Sequence, residues 1–375
     1  MPASPAAARA GADLADTYFG QLGECFERAA RAAGGGSLDL EMAGLPLRLR
    51  FAGAGLRKEL LAPFEHLATP LAAAEPALAI SLFDTASSGV EPPAPLWDPI
   101  EAPPGTNPVV RLRSERACVL AAAGSRALTA AAPGAGAAVF HLPDATAIPA
   151  SERAAPIREA LQLLMAARGR LMTHAGAIGR GGRGVLLVGR GGSGKSTLAL
   201  SCALAGLEIV ADDYVLLEPD SLTAHAMQST AKLTEDSAER LGVPAAAIDS
   251  AGFEPTLEGP AKALVDLRAL APGALKQQLG LRAIVAPMLS LRQPAHIAGG
   301  RRLDDVAPPL IRRISAAEGL RAVAPSTIVQ SGFGGAESLT ALAGLVRRVP
   351  SYALDLSPDP AANAAAVDRL VAGLG

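Results

Sequence analysis

Alternation of apolar and polar positions dominates the first part of the chain. Leu38, Leu40 and Met42, then Leu45, Leu47, Leu49 and Phe51 recur every second residue, with the phase changing at Gly44. A period of two belongs to a strand with one buried face, so this run predicts a hairpin or a bulged strand. The alternation returns at Leu78, Ile80 and Leu82 and at Val110 and Leu112. Between these, Val90 to Pro108 is rich in proline and holds the single tryptophan, Trp97, which predicts a surface loop. Short apolar runs near Cys118 to Leu120, at Leu128 and at Val139 to Leu142 are separated by Gly124-Ser125 and Pro133-Gly134. Residues 1–150 therefore read as β-rich, without a catalytic motif.

At Ser151 the texture changes. Pro156, a favoured first helical residue, precedes Ile157, Leu161 and Leu164 at helical spacing, and Gly169 marks the expected end. Next come Leu171 to His174, Ala175 to Ile178, a Gly/Arg turn at Arg180 to Gly184 and the apolar run Val185 to Val188. Further on, helical patterns at Leu339 to Val346 and Ala361 to Val371 flank a strand around Tyr352 to Leu356. The expected organisation is a β-rich domain over 1–150 and an α/β domain over 151–375.

Composition narrows the function classes. Half of the 375 residues are apolar, enough for a sizeable core, while aromatics make up only 3%, so alanine-rich stretches carry little periodicity. A net charge of −2 gives no basic footprint for nucleic acid or an anionic membrane, and neither partner is expected. Cys25, Cys118 and Cys202 are far apart and odd in number, unlike a disulfide framework or zinc knuckle. Arg9, Asp13 and Asp16 interrupt the first apolar stretch, and no charge-free run is long enough to span a bilayer. The expectation is a soluble, cytoplasmic protein.

The strongest chemical signal is Gly189-Arg190-Gly191-Gly192-Ser193-Gly194-Lys195-Ser196, followed by Thr197. It fits G-x-x-x-x-G-K-[ST] with an apolar strand before it and an alanine/leucine helix after it. Glycines let backbone N–H groups converge on phosphate oxygens, Lys195 reaches the β- and γ-phosphates, and the Ser196 hydroxyl ligates Mg²⁺. The implied ligand is ATP, or less readily GTP, with Mg²⁺. Arg190 fills a variable position. One helix, capped at Gly206, and one strand, Leu207 to Ala211, lead to Asp212-Asp213. In an open α/β sheet both loops then emerge at one edge, where ligands bind. Two adjacent carboxylates beside a triphosphate can hold the metal and accept an attacking hydroxyl's proton; a plain turn-capping pair is the alternative. His174, on a segment expected to pair beside the P-loop strand, either faces the γ-phosphate or fills a strand end. Cys202 belongs to the core. His66, His141, His225 and His296 lack metal-ligand spacing. Lys232, Lys262, Arg268 and Arg282 are the downstream cations open to the phosphates or the acceptor.

The run Thr173-His174-Ala175-Gly176-Ala177, then Gly184 to Thr197, then Gly206 to Asp213 resembles the catalytic domain of HPr kinase/phosphorylase and its relatives. The resemblance implies a P-loop domain of the HPr-kinase and phosphoenolpyruvate-carboxykinase type, with Asp213 as the base taking a serine proton and Asp212 serving the metal. The chain has Thr197 where the family has glutamate, and it lacks the Glu-x-Arg-Gly-x-Gly segment tied to the phosphorylase reaction and to HPr. Its layout looks more like the HPr-kinase-related proteins of ribosomal peptide pathways. That implies a serine kinase for a peptide or small protein, with the leader domain presenting the acceptor. A small-molecule kinase and a nucleotide-binding regulatory module are the rival readings.

Overall fold

In the computed structural model, which describes residues 5–71, 76–98, 108–122, 124–256, 259–289, 307–331 and 335–374, the chain forms a mixed α/β protein with several sheets. It divides into Met1–Gly169 with Pro255–Gly259, and Arg170–Glu254 with Pro260–Gly375. The texture change at Ser151 thus falls inside the first unit.

The first unit begins with an element that alanine concealed. Helix α1 (Pro5–Ala33) places Tyr18, Leu22, Cys25, Phe26 and Ala29 on one buried stripe, spaced by threes and fours as a helix requires. That stripe packs against Phe83, Val119, Ala130 and Val139. The alternating run becomes strands β1 (Gly35–Met42) and β2 (Leu45–Ala52), paired antiparallel. Ala43 and Gly44 between them both have positive φ, 52° and 72°, the turn whose twist matches a two-stranded hairpin. With β3 (Leu78–Asp84), β4 (Val109–Arg113), β5 (Cys118–Ala121), β6 (Leu128–Ala132) and β7 (Ala137–Leu142) they form one sheet ordered β1-β2-β3-β7-β6-β5-β4. The described part of the proline-rich loop is pinned rather than loose. Trp97 lies 5.2 Å from the Tyr18 ring, whose hydroxyl donates to the Pro93 carbonyl at 3.0 Å. Residues 99–107 lie outside the described residues.

Helix α2 spans Arg158–Ala166, so it starts later than Pro156. Ile157 takes a left-handed conformation at its start, with φ 51°, while its side chain is buried. Such a conformation costs roughly 1–2 kcal/mol, and burying the isoleucine offsets it with about 1.5–3 kcal/mol. Core burial therefore overrides the local preference for a helix begun at proline.

The second unit carries strands β8 (Leu171–Thr173), β9 (Gly176–Arg180), β10 (Arg183–Leu187), β11 (Glu208–Ala211), β12 (Val215–Glu218), β13 (Thr223–His225), β14 (Thr230–Thr234), β15 (Lys262–Asp266), β16 (Gln278–Leu289), β17 (Leu310–Ile314) and β18 (Ser351–Leu356). Its helices are α3 (Lys195–Leu204), α4 (Glu235–Leu241), α5 (Ala316–Ser331), α6 (Gly335–Arg348) and α7 (Pro360–Gly373). The main sheet runs β11-β9-β10-β16-β13-β12-β8, with β18 added beside β16 and β17 beside β18; β14 and β15 form a separate pair. β16 is parallel to both β10 and β18. β11 and β10 each pair antiparallel with β9 and so point the same way. The carboxyl ends of β10, β11, β16 and β18 consequently share one edge. Beneath them Ile178, Val185, Leu187, Leu198, Cys202, Ile209, Val285, Leu354 and Val367 make one buried cluster. Among the described residues no helix is long and apolar enough to cross a membrane.

Candidate phosphate and carboxylate site

The loop leaving β10 reaches α3 through glycines, three of them (Gly189, Gly192 and Gly194) at positive φ, where other residues are strained. Gly189 has φ 143°, and a Cβ there would stand 2.9 Å from Ser193 Oγ. Gly194, φ 92°, would drive a Cβ to 2.5 Å from Leu356 Cδ1. Helix α3 then starts at Lys195, with its first backbone-bonded turn closed by Leu198 N to Gly194 O at 2.9 Å. The preceding N–H groups at this end have no intrahelical acceptor and carry the positive end of the helix dipole. Anion binding is the chemistry such an end offers.

Lys195 is buried, and its Nζ donates to the Gly189 and Arg190 carbonyls at 2.8 and 3.2 Å. Burial lowers its pKa, while Asp212 and Asp213 act in the opposite direction. The Arg190 side chain is exposed. Ser196, one residue on, is close enough to the Asp212 carboxylate for its hydroxyl to favour the ionised form.

Asp212 and Asp213 follow β11 directly, and their environments differ. Asp212 is 1% exposed. Its Oδ2 accepts from the Lys232 backbone N–H at 3.3 Å, and its Oδ1 is buried without a partner. Burial, then the neighbouring Asp213 charge, pushes its pKa up to about 6. Burial also works against ionising Asp213, but Lys232 and then His174 outweigh it and hold this carboxyl well below the usual range. Lys232 Nζ lies 2.7 Å from Asp213 Oδ2, and His174 Nε2 lies 3.0 Å from Oδ1. Lys232 is in turn held charged, its burial outweighed by Asp213. The pair therefore splits into one carboxylate clamped between a lysine and a histidine and one poised to bind a cation.

His174 sits elsewhere than expected. It lies in the link between β8 and β9, and β8 pairs with β12, so the strand beside the P-loop strand begins only at Gly176. From that link its ring reaches Asp213 and rests 5.4 Å from the Tyr214 ring. Cys202 is fully buried in the core, and burial raises its thiol's pKa, as expected of a packing residue. Among the described residues no three His, Cys, Asp or Glu gather as a self-contained metal site. His296 lies outside the described residues.

Of the cations left open by the sequence, Lys232 joins the site and the charge of Lys262 is felt by Lys195. Arg268 is bound to Asp266 at 2.8 Å, and Arg282 donates to the Leu281 carbonyl. Lys232 carries no motif. The one available signal is its place between Ala231 and Leu233, whose burial on the other face of β14 turns the lysine the opposite way.

No family model matches the chain, and no curated protein matches it. Among solved structures, the Hpr(Ser) kinase/phosphatase from Coxiella burnetii is similar over 50% of this chain and 80% of that chain, with 18% identity and a TM-score of 0.24. So loose a likeness marks a distant relation at most. The chemistry must be read from the residues themselves.

The donor set fits a phosphate-bound Mg²⁺. A hydroxyl and a carboxylate near one another, with one carboxylate oxygen buried and unpartnered, could supply the protein's share of the oxygen ligands. Mg²⁺ characteristically takes one or two carboxylates and completes its sphere with phosphate oxygens and water.

Proposed function

We propose that this chain is an ATP-dependent phosphotransferase. The observation that carries the reading is the buried Asp212 carboxylate, its Oδ1 unpartnered and its ionised form favoured by Ser196 and Lys195 of a G-x-x-x-x-G-K-S loop. Burying a carboxylate without full compensation costs several kcal/mol, which a purely structural turn has no reason to sustain.

In this reading the N–H groups from Gly189 to Thr197 orient the triphosphate, and Lys195 moves from the loop carbonyls to the β- and γ-phosphates. Ser196 and Asp212 would hold Mg²⁺, whose charge would offset that of the triphosphate. Asp213 stands on the same edge as the base that orients an acceptor hydroxyl for in-line attack. Its low basicity is compatible with that role, because phosphoryl transfer passes through a loose transition state and positioning counts for more than early proton removal. Lys232 and His174 fix its carboxylate plane. They are positioning residues.

The acceptor class, a serine of a peptide or small protein, rests on the sequence resemblance, as does acceptor recognition by the first unit. Transfer of labelled γ-phosphate to a peptide rather than to a metabolite is the result that supports it. The kinase reading itself is tested by Asp212→Asn. Loss of a metal ligand should raise the Mg²⁺ concentration giving half-maximal turnover, and excess Mg²⁺ should restore part of the rate. Loss of thermal stability with an unchanged metal requirement would reduce the pair to a capping turn.

A further inference from the structure

The same edge of the second unit holds a cleft that continues beyond the glycine-rich loop. Gly194, Thr197, Leu198 and Ser201 line one side, at the spacing of one stripe of α3. The other side is the carboxyl end of β18 and the start of α7, with Leu289 from the end of β16 at the lip and Arg240 of α4 also in the lining. The cleft encloses about 180 Å³ and opens to solvent, less than the roughly 300–1,000 Å³ of a site that takes up a whole small molecule and of a size to take part of one.

We propose that this cleft holds the nucleoside half, base and ribose, of the phosphate donor. The inference rests on the reading that the P-loop binds the donor's phosphates, and it adds where the rest of the donor lies. Position along the sheet supplies the first argument. β11, with Asp212 and Asp213 at its end, lies on one side of β10, whereas β16 and β18 lie on the other. Ser196 acts on Asp212 at the end of β11, while Thr197 and Ser201 line the cleft together with the end of β18. A linear donor lying across the start of α3 with its transferable end at the carboxylates must run its other end into this cleft. Crevices at the carboxyl ends of adjacent parallel strands are where open α/β sheets take such ligands.

Chemistry supplies the second. The far end of a nucleoside triphosphate is an uncharged, flat base, which calls for apolar walls on a rigid frame. Leu198, Leu356 and Pro358 provide the walls. The lip residue Leu289 is 66% exposed, an unusual setting for a large apolar side chain at the mouth of a pocket. The frame is preformed. Asn363 bonds both the N–H and the carbonyl of Ser357 at 2.8 Å, and Ser201 Oγ donates to the Pro360 carbonyl at 2.6 Å.

Calorimetry with Mg·ATP and with Mg·tripolyphosphate separates the two halves of the donor. Leu289→Asn, a change at an exposed position, should weaken ATP about fivefold and leave tripolyphosphate within twofold, and Leu289→Met should keep wild-type affinity for both. Lys195→Ala should weaken both ligands strongly. If Leu289→Asn changes ATP affinity by less than twofold, or weakens both ligands equally, the cleft is not the nucleoside site although the phosphate reading stands. If Lys195→Ala weakens neither ligand, the phosphate reading fails and takes this proposal with it. Photolabelling with 8-azido-ATP should mark Leu289 or the segment Ser357 to Asn363; a label confined to other segments overturns the assignment.

Discussion

Each unit buries a histidine near an aspartate, and the two settings behave oppositely. In the first unit His141, on β7, is 3% exposed, its Nε2 2.9 Å from the Thr85 hydroxyl. Asp84 accepts from the Ala145 N–H at 3.3 Å and from the Ser87 hydroxyl. Burial, then Arg126, pushes the His141 pKa down to about 4, so the ring is neutral at ordinary pH. In the second unit His174 faces an ionised Asp213 that also pairs with Lys232, beside a second carboxylate and Lys195. Buried polarity is common to both. What singles out the second is charge in excess of what its neighbours satisfy, and that excess is what a charged ligand can balance.

The sharpest way to break this comparison is Asp213→Asn. Asparagine keeps the shape but cannot accept a proton or pair with Lys232. Transfer should fall by about 10²–10⁴, the usual loss for a positioned base, with Mg·ATP affinity within a few-fold. Single-turnover rates at saturating Mg·ATP measure it, and a rate near wild type would leave the second unit's charge excess without a catalytic meaning.

A smaller effect comes from pH. Asp212 must be ionised to bind Mg²⁺, and its pKa stands raised at about 6. The Mg²⁺ concentration for half-maximal activity should therefore rise about fourfold between pH 7.5 and 5.5 as the carboxyl takes up its proton. The same shift has the opposite sign for stability. A carboxyl that binds its proton more tightly when folded loses stability as pH rises from about 4 to 6, so metal-free protein should lose part of its thermal stability across that window and Mg·ATP should restore it. Asp212→Asn should flatten both trends.

The smallest expected change is at His141. Its pKa is lowered by folding, so its contribution to stability is complete above pH about 6.5 and is lost as pH falls toward 4. His141→Asn should cost about 1–3 kcal/mol through the lost hydrogen bond and packing, shrink the acid sensitivity of Tm in that window, and leave transfer by the folded protein unchanged. A drop in transfer would mean that the two histidines are not so different after all.

Much of the site was legible because its chemistry is local. The P-loop needs contiguous glycines, a lysine and a hydroxyl between a strand and a helix, so Gly189 to Thr197 announce themselves, and the strand ending in Asp212-Asp213 follows by the same logic. The hairpin over Leu38 to Phe51 was equally plain, since alternation with a glycine at the phase change leaves little choice. Helix α1 was not legible. Alanine occupies both faces at little cost, so the stripe Tyr18, Leu22, Cys25, Phe26 and Ala29 is diluted among residues that fit any element. The start of α2 was misplaced because Pro156 is a sound local signal that the burial of Ile157 overrules.

By itself, then, the sequence determined the glycine-rich loop between a strand and a helix and which carboxylates lie one helix and one strand away, since these depend on neighbours in the chain. Tertiary structure alone decided how the two aspartates differ. Lys232, on a strand with no motif, donates its backbone N–H to Asp212 and sets its ammonium against Asp213, while His174 arrives from a link between strands. Tertiary structure also set β18 beside β16, bringing Ser357 and Asn363 to the flank of α3. Electrostatics in a buried site depends on distance in space and on the water excluded there, and neither quantity is written in the order of residues.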